Sequence, residues 1–270
     1  RRGEGVPVDE ICASAQIPRR TFYNWLSRYR LCGLDGLQPR SRAPHTVHRL
    51  DPIIAEKAVA LRIEKGWGPQ LIAGYLGTQG VKVGSMTVYR ILCREGLNNP
   101  LAKPRTKRTY KRWQRRRPNS LWQCDLKLVD AEWLITILDD HSRFVTASDF
   151  FKEGTAENAI WLLDKAIHEY KKPREILTDH GSQFYSVHQG ESSFDTYCQS
   201  RGIKHILGGI AKPTTLGKIE RWFLTYDQEH FRFQFHWNFI QYYNYERPHM
   251  SLNYKTPAEV YFRDVPNVMV

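Results

Sequence analysis

The sequence lacks the long apolar runs, paired cysteines and phosphate-binding loop that mark several common classes of protein. No apolar stretch approaches the length of a membrane span and no signal peptide is visible, so we expect no membrane partner. The five cysteines, at positions 12, 32, 93, 124 and 198, form no Cys-x-x-Cys pair. This argues against a zinc ribbon or a disulfide framework and suits a reducing cytoplasm. Because no Walker-type loop is present, we expect no requirement for ATP.

What the sequence does have is a large excess of positive charge. Its 270 residues include 40 Lys and Arg against 28 Asp and Glu, which gives a formal net charge of +12. Such an excess serves a nucleic acid partner, an anionic membrane surface or solubility. With 41% hydrophobic and 13% aromatic residues, the chain should fold around one sizeable core with small accessory domains. Its first residue is Arg1 and not Met, so we expect a fragment or a processed chain.

Residues 1–37 have the pattern of a helix-turn-helix unit, which we expect to be incomplete at its N-terminus. A short helix over 8–15 precedes a second one opened by Pro18, where a missing N–H costs nothing. Helical spacing predicts that Phe22, Trp25, Leu26 and Tyr29 face inward. The alternative is a helical hairpin with a solvated polar side. The polar residues left for DNA on the other faces are Arg19, Arg20, Asn24 and Arg28.

A second helix-turn-helix unit is predicted over 51–99, after a Pro-rich basic linker at 38–50. Asp51 is placed to cap the first helix, Pro69 opens the next, and Ser85 is expected to cap the third. The outer face of that third helix offers Thr87, Arg90 and Arg94 to DNA. Two such units in tandem favour DNA binding over two solvated hairpins, because long DNA sites are bound by independent modules.

A basic linker at 100–118 follows. Residues 103–117 contain nine Lys or Arg and no Asp or Glu. Charge runs of this kind are usually solvated linkers, but a flexible basic tether can also lie along a phosphate backbone. Both descriptions can hold together. The residues that we expect to contact DNA here are Lys107, Arg108, Arg112, Arg115 and Arg116.

From residue 119 the pattern becomes that of an α/β domain, which we place at 119–246 with a C-terminal tail at 247–270. The order is three strands, helix, strand, helix, strand and a long final helix, which predicts a layer of mixed parallel and antiparallel strands. The dense aromatics of the final helix are expected to serve core and oligomer packing. The predicted elements are strands at 121–129, 133–138, 144–150, 175–178 and 204–207, and helices at 155–171, 194–201 and 216–245.

Three carboxylates in this domain form the candidate catalytic site. Asp125 falls within a strand among apolar neighbours, where a charge requires compensation. Asp179 ends a strand, and Glu220 lies in the first turn of a helix. Each of them alone is more often a surface group, a cap or a salt bridge. Together they can hold a pair of divalent ions, which activate a nucleophile against a phosphodiester and stabilise the leaving oxygen.

These residues and several motifs resemble the insertion-sequence transposases of the DDE class, which have a retroviral-integrase-type core. The resemblance implies a ribonuclease H-like core with a mixed five-stranded sheet flanked by helices, preceded here by two all-α helix-turn-helix domains. It also implies that Asp125, Asp179 and Glu220 are the catalytic, metal-binding triad. The motifs that carry it are Asp139-Asp140-His141-Ser142-Arg143, Asp179-His180-Gly181-Ser182-Gln183-Phe184, Gly217-Lys218-Ile219-Glu220-Arg221 and the run from Tyr243 to Glu259.

The sequence departs from the family pattern at two points. His180 follows the second Asp where the family usually has Asn, which alters the surroundings of the ligand without removing it. The gap of 40 residues between Asp179 and Glu220 is longer than usual, and we place the excess in a loop at 185–193. Asp139 and Asp140 could approach the metal edge, but capping the turn into the third strand is the favoured role. Retroviral integrases carry a zinc-binding module that this sequence lacks.

The resemblance implies a DNA transposase that performs two in-line displacements on phosphorus. The first frees a 3′-hydroxyl at the element's end, and the second joins it to target DNA. We expect two Mg²⁺ ions per active site, with Mn²⁺ able to substitute. The expected partners are double-stranded DNA and a second copy of the chain, as a homodimer or higher, on DNA in the cytoplasm, in a prokaryotic nucleoid. Lys218 and Arg221 contact the DNA backbone or are exposed helix charges. The alternatives are a non-catalytic DNA-binding regulator and a nuclease of the same fold that cuts without joining.

Overall fold

The computed structural model describes residues 5–39, 50–98, 113–185, 191–209 and 216–263. The chain divides into two compact units, residues 1–50 and 51–270. Within the described ranges, no helix combines the length and the apolar character needed to cross a membrane.

The first unit is a short helical hairpin. Helix α1 (Val8–Ser14) is followed by α2 (Arg19–Cys32) and a 3₁₀ turn at Gly33–Leu37. Both predicted helices are present, but the predicted inward face of the second is wrong in part. The side chains of Trp25 and Tyr29 are 46% and 49% exposed, and α2 buries none of its residues. The physical reason is that one helix of seven residues is too short to cover both turns that carry these rings.

The second unit begins with three helices, α3 (Pro52–Lys65), α4 (Pro69–Thr78) and α5 (Ser85–Arg94). Asp51 caps α3 as predicted, since its carboxylate accepts a hydrogen bond of 3.0 Å from the backbone N–H of Ile53. The predicted cap at Ser85 is wrong. Gly84 occupies the capping position in an extended conformation, and Ser85 is already the first helical residue.

A five-stranded sheet follows, with strand order β3-β2-β1-β4-β5. The β1–β2 and β2–β3 pairs are antiparallel, whereas the β1–β4 and β4–β5 pairs are parallel. Helices α6 (Ala156–Tyr170) and α7 (Ser193–Ser200) lie between the later strands in the chain. The predicted mixed five-stranded sheet with flanking helices is confirmed. The strands are β1 (Trp122–Val129), β2 (Glu132–Asp139), β3 (Val145–Phe151), β4 (Glu175–Thr178) and β5 (Lys204–Leu207).

The predicted long final helix is wrong, because the chain breaks into shorter pieces. The break spans residues 230–235, in which Phe233 (φ −116°, ψ 137°) and Phe235 (φ −126°, ψ 149°) are both extended. It lets the ring of Phe233 turn back onto Tyr242, with centroids 4.9 Å apart, and so adds an aromatic to the core. The pieces are α8 (Gly217–Glu229), a 3₁₀ turn at His230–Arg232, α9 (His236–Gln241), a π-helical turn at Tyr242–Glu246, a 3₁₀ turn at Met250–Leu252 and α10 (Pro257–Arg263).

The two faces of the sheet contribute to different clusters of buried side chains. Ile135 and Ile137 of β2 join the cluster formed with α6 and α7. Leu134 and Leu138, on the opposite face, join a cluster that contains residues of α3, α4, α5, α8 and α9. A strand sends alternate side chains to opposite faces. The three-helix segment therefore shares one core with the sheet.

A buried polar contact joins the same two parts. The indole N–H of Trp67, in the turn between α3 and α4, donates a 2.6 Å hydrogen bond to the hydroxyl of Tyr242. A Cβ atom added to Gly74 of α4 would collide with the ring of Tyr254. Such close approach of a helix backbone to a ring requires glycine.

Two glycines of α4 provide a test of this packing. Gly74→Ala should lower the free energy of unfolding by about 1–3 kcal/mol, because the methyl group meets the Tyr254 ring. Gly77→Ala, which meets nothing within 4 Å, should raise it by about 0.5–1 kcal/mol through helix propensity. Chemical denaturation measures both changes. Equal effects of the two substitutions, or a separate unfolding step for residues 51–98, would contradict the shared core.

Candidate active site

The pairing of β1 with β4 places Asp125 and Asp179 side by side in the sheet. In the parallel pair of β1 and β4, Trp122 lies opposite Ile176 and Gln123 lies opposite Leu177. Continuing this register by two residues places Asp125 beside Asp179, which directly follows the last residue of β4. Adjacent strands are about 4.8 Å apart, so the two carboxylates are neighbours at one edge of the strand pair.

Glu220 reaches the same region from helix α8. The backbone N–H of Ile219 donates a 3.3 Å hydrogen bond to the side-chain oxygen of Gln123, which lies two residues before Asp125 in β1. Glu220 is therefore one residue from a direct contact between the helix and the central strand. Its side chain is exposed, in the first turn of the helix.

The electrostatics of Asp125 record the proximity of all three carboxylates. The pKa of Asp125 is raised from 3.8 to about 7, mainly by burial and in smaller part by the negative charges of Asp179 and Glu220, while a hydrogen bond from the backbone N–H of Leu126 opposes the rise. That bond is 2.8 Å long. A carboxylate pair or trio with this effect favours a cation between its members.

The donor set fits a hard divalent cation in its chemistry. All three side chains offer oxygen ligands, and the anionic form of Asp125 is destabilised first by burial and then by its two acidic neighbours. In the described part of the chain, none of them forms an ion pair with Lys, Arg or His. Yet among those same residues no three Asp, Glu, His or Cys side chains are already close enough to hold an ion together. Binding would require movement of side chains, and Glu220 is the exposed one.

Asp139 has the structural role that the sequence favoured. Its carboxylate accepts hydrogen bonds from the backbone N–H groups of Asn119, His141 and Ser142 and from the Ser142 hydroxyl, at 2.7–3.1 Å. These bonds cap the turn into β3. They also oppose the rise in the pKa of Asp139 that burial causes.

Asp140, which is fully buried, connects three parts of the site. Its carboxylate accepts hydrogen bonds from the Gln123 side chain (2.9 Å) and from the backbone N–H of Arg115 (2.8 Å), and it pairs with the Lys218 ammonium. The sequence placed Lys218 at the DNA backbone or in solvent, but its side chain is only 15% exposed. The Trp113 ring lies 4.3 Å from the Lys218 nitrogen. Burial lowers the pKa of Lys218 to about 8, although Asp140 opposes this.

A second polar chain stands behind Asp179 and was missed by sequence reasoning. The Thr178 hydroxyl lies 2.7 Å from Nε2 of His205, whose Nδ1 contacts the Asp195 carboxylate. Burial raises the pKa of Asp195, but hydrogen bonds from His205 and Ser192 bring it below its ordinary value. No motif in the sequence links these residues, because they lie on β4, β5 and α7.

The two departures from the family pattern lie beside Asp179. His180 is exposed, and its ring stands edge-on to that of Tyr185 at 5.6 Å. The loop expected to hold the additional residues lies partly outside the described residues, which omit 186–190 and 210–215.

The residues predicted to bind DNA are found in different environments. Arg115 pairs with Glu175, Arg19 lies 3.0 Å from Asp9, and Arg28 donates to the carbonyl of Gln38. Thr87 is half-buried. Lys107, Arg108 and Arg112 lie outside the described residues. Arg19 and Arg115 are exposed in spite of these contacts, and the other exposed side chains of the set are Arg20, Asn24, Arg90, Arg94, Arg116 and Arg221.

Three stretches of the chain match known protein families. Residues 115–213 and 201–257 each match an integrase core domain, and residues 21–92 match a homeodomain-like domain. Together with the strand order, the core matches confirm the predicted ribonuclease H-like fold class.

Individual relatives are distant. The chain is 25% identical to the transposase for transposon Tn552 of Staphylococcus aureus, over 82% of this chain and 52% of that protein. It is 32% identical to the Gag-Pro-Pol polyprotein of Human T-cell leukemia virus 3 (strain 2026ND), over 38% of this chain and 7% of that protein. The chain thus spans about half of the Tn552 protein. A simian T-cell lymphotropic virus intasome structure is 21% identical with a TM-score of 0.48, covering 79% of this chain and 77% of that one.

The raised pKa of Asp125 predicts a pH-dependent effect of Asp125→Asn. The pKa of this carboxyl is 3.8 when unperturbed and about 7 in the fold, so the folded state binds the proton more tightly than the unfolded state does. Ionisation between about pH 4 and pH 7 therefore costs stability. At pH 8, without divalent ions, Asp125→Asn should be more stable than wild type by about 1–3 kcal/mol, and the gain should vanish near pH 4. Chemical denaturation across this range measures it.

The control for this measurement is Glu132→Gln, which removes an exposed carboxylate at the start of β2. It should change stability little at either pH. An Asp125→Asn variant that is destabilised equally at pH 4 and pH 8 would contradict the raised pKa of Asp125.

Proposed function

We propose, from the premise that residues 115–257 carry an integrase core domain of the type that transposases and retroviral integrases share, that this chain is a DNA transposase. It would bind element ends through its helical units, cut a phosphodiester there and join the freed 3′-hydroxyl to target DNA. The observation that carries the proposal is the β1–β4 register, which places Asp125 beside Asp179, together with the Ile219–Gln123 hydrogen bond that holds the turn carrying Glu220 against β1. Three separated segments of the chain thereby contribute to one acidic site.

Asp125, Asp179 and Glu220 are the residues that would hold two divalent ions, and Mg²⁺ suits a set of oxygen donors, with Mn²⁺ as a substitute. When bound, such a pair clamps the attacking and leaving oxygens of an in-line displacement at phosphorus. The raised pKa of Asp125 supports the fit of these residues to a cation. A bound cation would offset both the cost of burying the carboxylate and the repulsion from its two acidic neighbours.

The chain's own residues supply the placement. Asp125 and Asp179 lie on paired strands, which hold their backbones at a fixed separation. Glu220, on an exposed helical turn, is free to approach them. Arg221 on the next position and Arg116 before β1 are exposed and would contact the phosphate backbone on either side. These contacts position DNA without selecting a sequence.

Sequence recognition would fall to the helical units. Arg90 and Arg94 are exposed on α5, while its residues Val88, Ile91 and Leu92 are buried in the shared core. This is the arrangement of a recognition helix, with its inner face packed and its outer face open to the major groove. Arg20 and Asn24 of α2 would serve the same purpose in the first unit. Joining two element ends also requires self-association, as a homodimer or a higher oligomer on DNA, in a prokaryotic nucleoid.

The catalytic proposal is tested by a strand-transfer assay. The substrates would be duplexes made from genomic DNA on each side of the chain's own gene, incubated with a supercoiled target and Mg²⁺. Wild type should yield cut ends and joined products, and Asp125→Asn should fall to the level of a reaction without protein. Glu132→Gln, which alters an exposed acid away from the site, should retain activity.

The outcomes separate the alternatives. Cutting without joining would establish a nuclease of the same fold. Binding without cutting, by wild type and variant alike, would establish a DNA-binding regulator. Equal cutting and joining by wild type and Asp125→Asn would contradict the role of the acidic site.

The DNA contacts of α5 are tested by salt dependence. Arg90→Ala and Arg94→Ala should each weaken binding to the flanking duplexes, and where the lost contact is to a phosphate the slope of log K against log salt should fall by ~0.9. The control is Lys57→Ala, which removes an exposed charge from α3 and should leave the slope unchanged. A common effect of all three variants would reflect net charge and would argue against a recognition helix.

A further inference from the structure

The first turn of α8 is attached to the sheet at two consecutive residues. Lys218 reaches down to the buried carboxylate of Asp140 at the end of β2. Ile219 donates its backbone N–H to the Gln123 side chain of β1. Glu220 is the next residue. Its backbone position is therefore fixed by the two residues that precede it.

The two attachments form one connected network. Gln123 accepts from Ile219 through its side-chain oxygen and donates through its nitrogen to Asp140, at 2.9 Å. Asp140 thus touches the α8 turn directly, through Lys218, and indirectly, through Gln123. Gln123 and Asp125 lie two residues apart on β1 and face the same side of the strand. A displacement of Asp140 would change the separation of Glu220 from Asp125.

The side chains of this network are shielded from water, so each of them needs the others as hydrogen-bond or charge partners. Asp140 and Gln123 are fully buried, and the Lys218 side chain is 15% exposed beneath the Trp113 ring. A buried charge that loses its partner is strongly unfavourable, whereas the exposed ends of a surface pair can turn to water. The pair therefore has one geometry and confers that geometry on the helix turn.

We propose that Asp140 is a positioning residue, whose contacts with Lys218 and Gln123 hold the backbone of Glu220 where its exposed side chain can turn toward Asp125 and share a divalent ion with it. The inference rests on the proposed function, because it gives Glu220 the part of a ligand. It assigns Lys218 to the buried support of the site, whereas the sequence had placed it at the DNA backbone or in solvent. Supporting groups of this kind commonly govern metal affinity by ~10–100-fold.

A matched control exists on the same two elements. Lys127 of β1 pairs with Asp227, which lies in the last turn of α8. Like the Lys218–Asp140 pair, it ties α8 to the sheet, but its side chains are 32% and 45% exposed and it lies seven residues beyond Glu220. Loss of helix anchoring in general would affect both pairs, whereas loss of Glu220 placement would affect only one.

The experiment measures Mn²⁺ binding by calorimetry on the full chain at a temperature well below unfolding. The variants are Lys218→Met, Lys218→Arg, Asp140→Asn, the double variant Lys218→Met/Asp140→Asn, Asp125→Asn as the variant that lacks a proposed ligand, and the control Lys127→Met. Thermal unfolding followed by circular dichroism establishes that each is folded. Each single substitution leaves one buried charge without its partner: Lys218→Met leaves the carboxylate of Asp140, and Asp140→Asn leaves the ammonium of Lys218. The double variant removes both charges, so it carries the test if a single variant does not fold.

We expect Lys218→Met to weaken Mn²⁺ binding by ~10-fold or more, Lys218→Arg to restore most of the affinity, and the double variant to bind about as weakly as Lys218→Met alone. Lys127→Met should bind as wild type does. Unchanged Mn²⁺ affinity in Lys218→Met, with wild-type binding abolished by Asp125→Asn, would overturn the positioning role and leave the proposed function standing. No Mn²⁺ binding by wild type would overturn both. Equal losses of Mn²⁺ affinity in Lys218→Met and Lys127→Met would show that both pairs only anchor α8 to the sheet. That result would also overturn the positioning role.

Discussion

The double pairing of β1 is the constraint on which the site depends. This strand is antiparallel to β2 on one side and parallel to β4 on the other, so its position is fixed by hydrogen bonds along both edges. The parallel register brings Asp179 beside Asp125, and Gln123 of the same strand receives the first turn of α8. A slip of one residue would turn Asp125 to the other face of the sheet and break both relations. The acidic site is therefore a consequence of strand register.

The shared core between the three-helix segment and the sheet has a consequence for the proposed function. Trp67 and Gly74 pack against Tyr242 and Tyr254, so α3–α5 and the sheet belong to the same compact unit. The exposed arginines of α5 are then carried by the framework that carries Asp125. In the proposed transposase, a DNA duplex bound by α5 would be held at a set distance from the acids, which relates the sequence recognised to the bond cut. A flexible tether between these parts would give no such relation.

Local patterns predicted the strands and most helices, because alternation and caps are short-range signals. The strands at 175–178 and 204–207 and the cap at Asp51 needed only a few neighbouring residues. The break over residues 230–235 was not predictable in that way, since it depends on the ring of Phe233 meeting Tyr242. Asp125, Asp179 and Glu220 were found through the resemblance of their motifs to a known family. The partners of the site, Asp140 with Lys218 and His205 with Asp195, join residues 10–78 positions apart, and nothing in their local sequence indicates the pairing.

Asp125 within β1, Asp139 at the end of β2 and Asp140 after it are all buried or partly buried, and they differ in how their charges are compensated. Asp139 receives four N–H or O–H donors, and Asp140 receives an ammonium, an amide and a backbone N–H. Both are therefore complete within the fold. In the described residues Asp125 receives a single backbone N–H, from Leu126, while two carboxylates repel its charge. A fold retains such an uncompensated acid at a cost in stability. A bound cation would supply the missing positive charge and so offset this cost. The lack of compensation within the fold is what distinguishes Asp125 from Asp139 and Asp140.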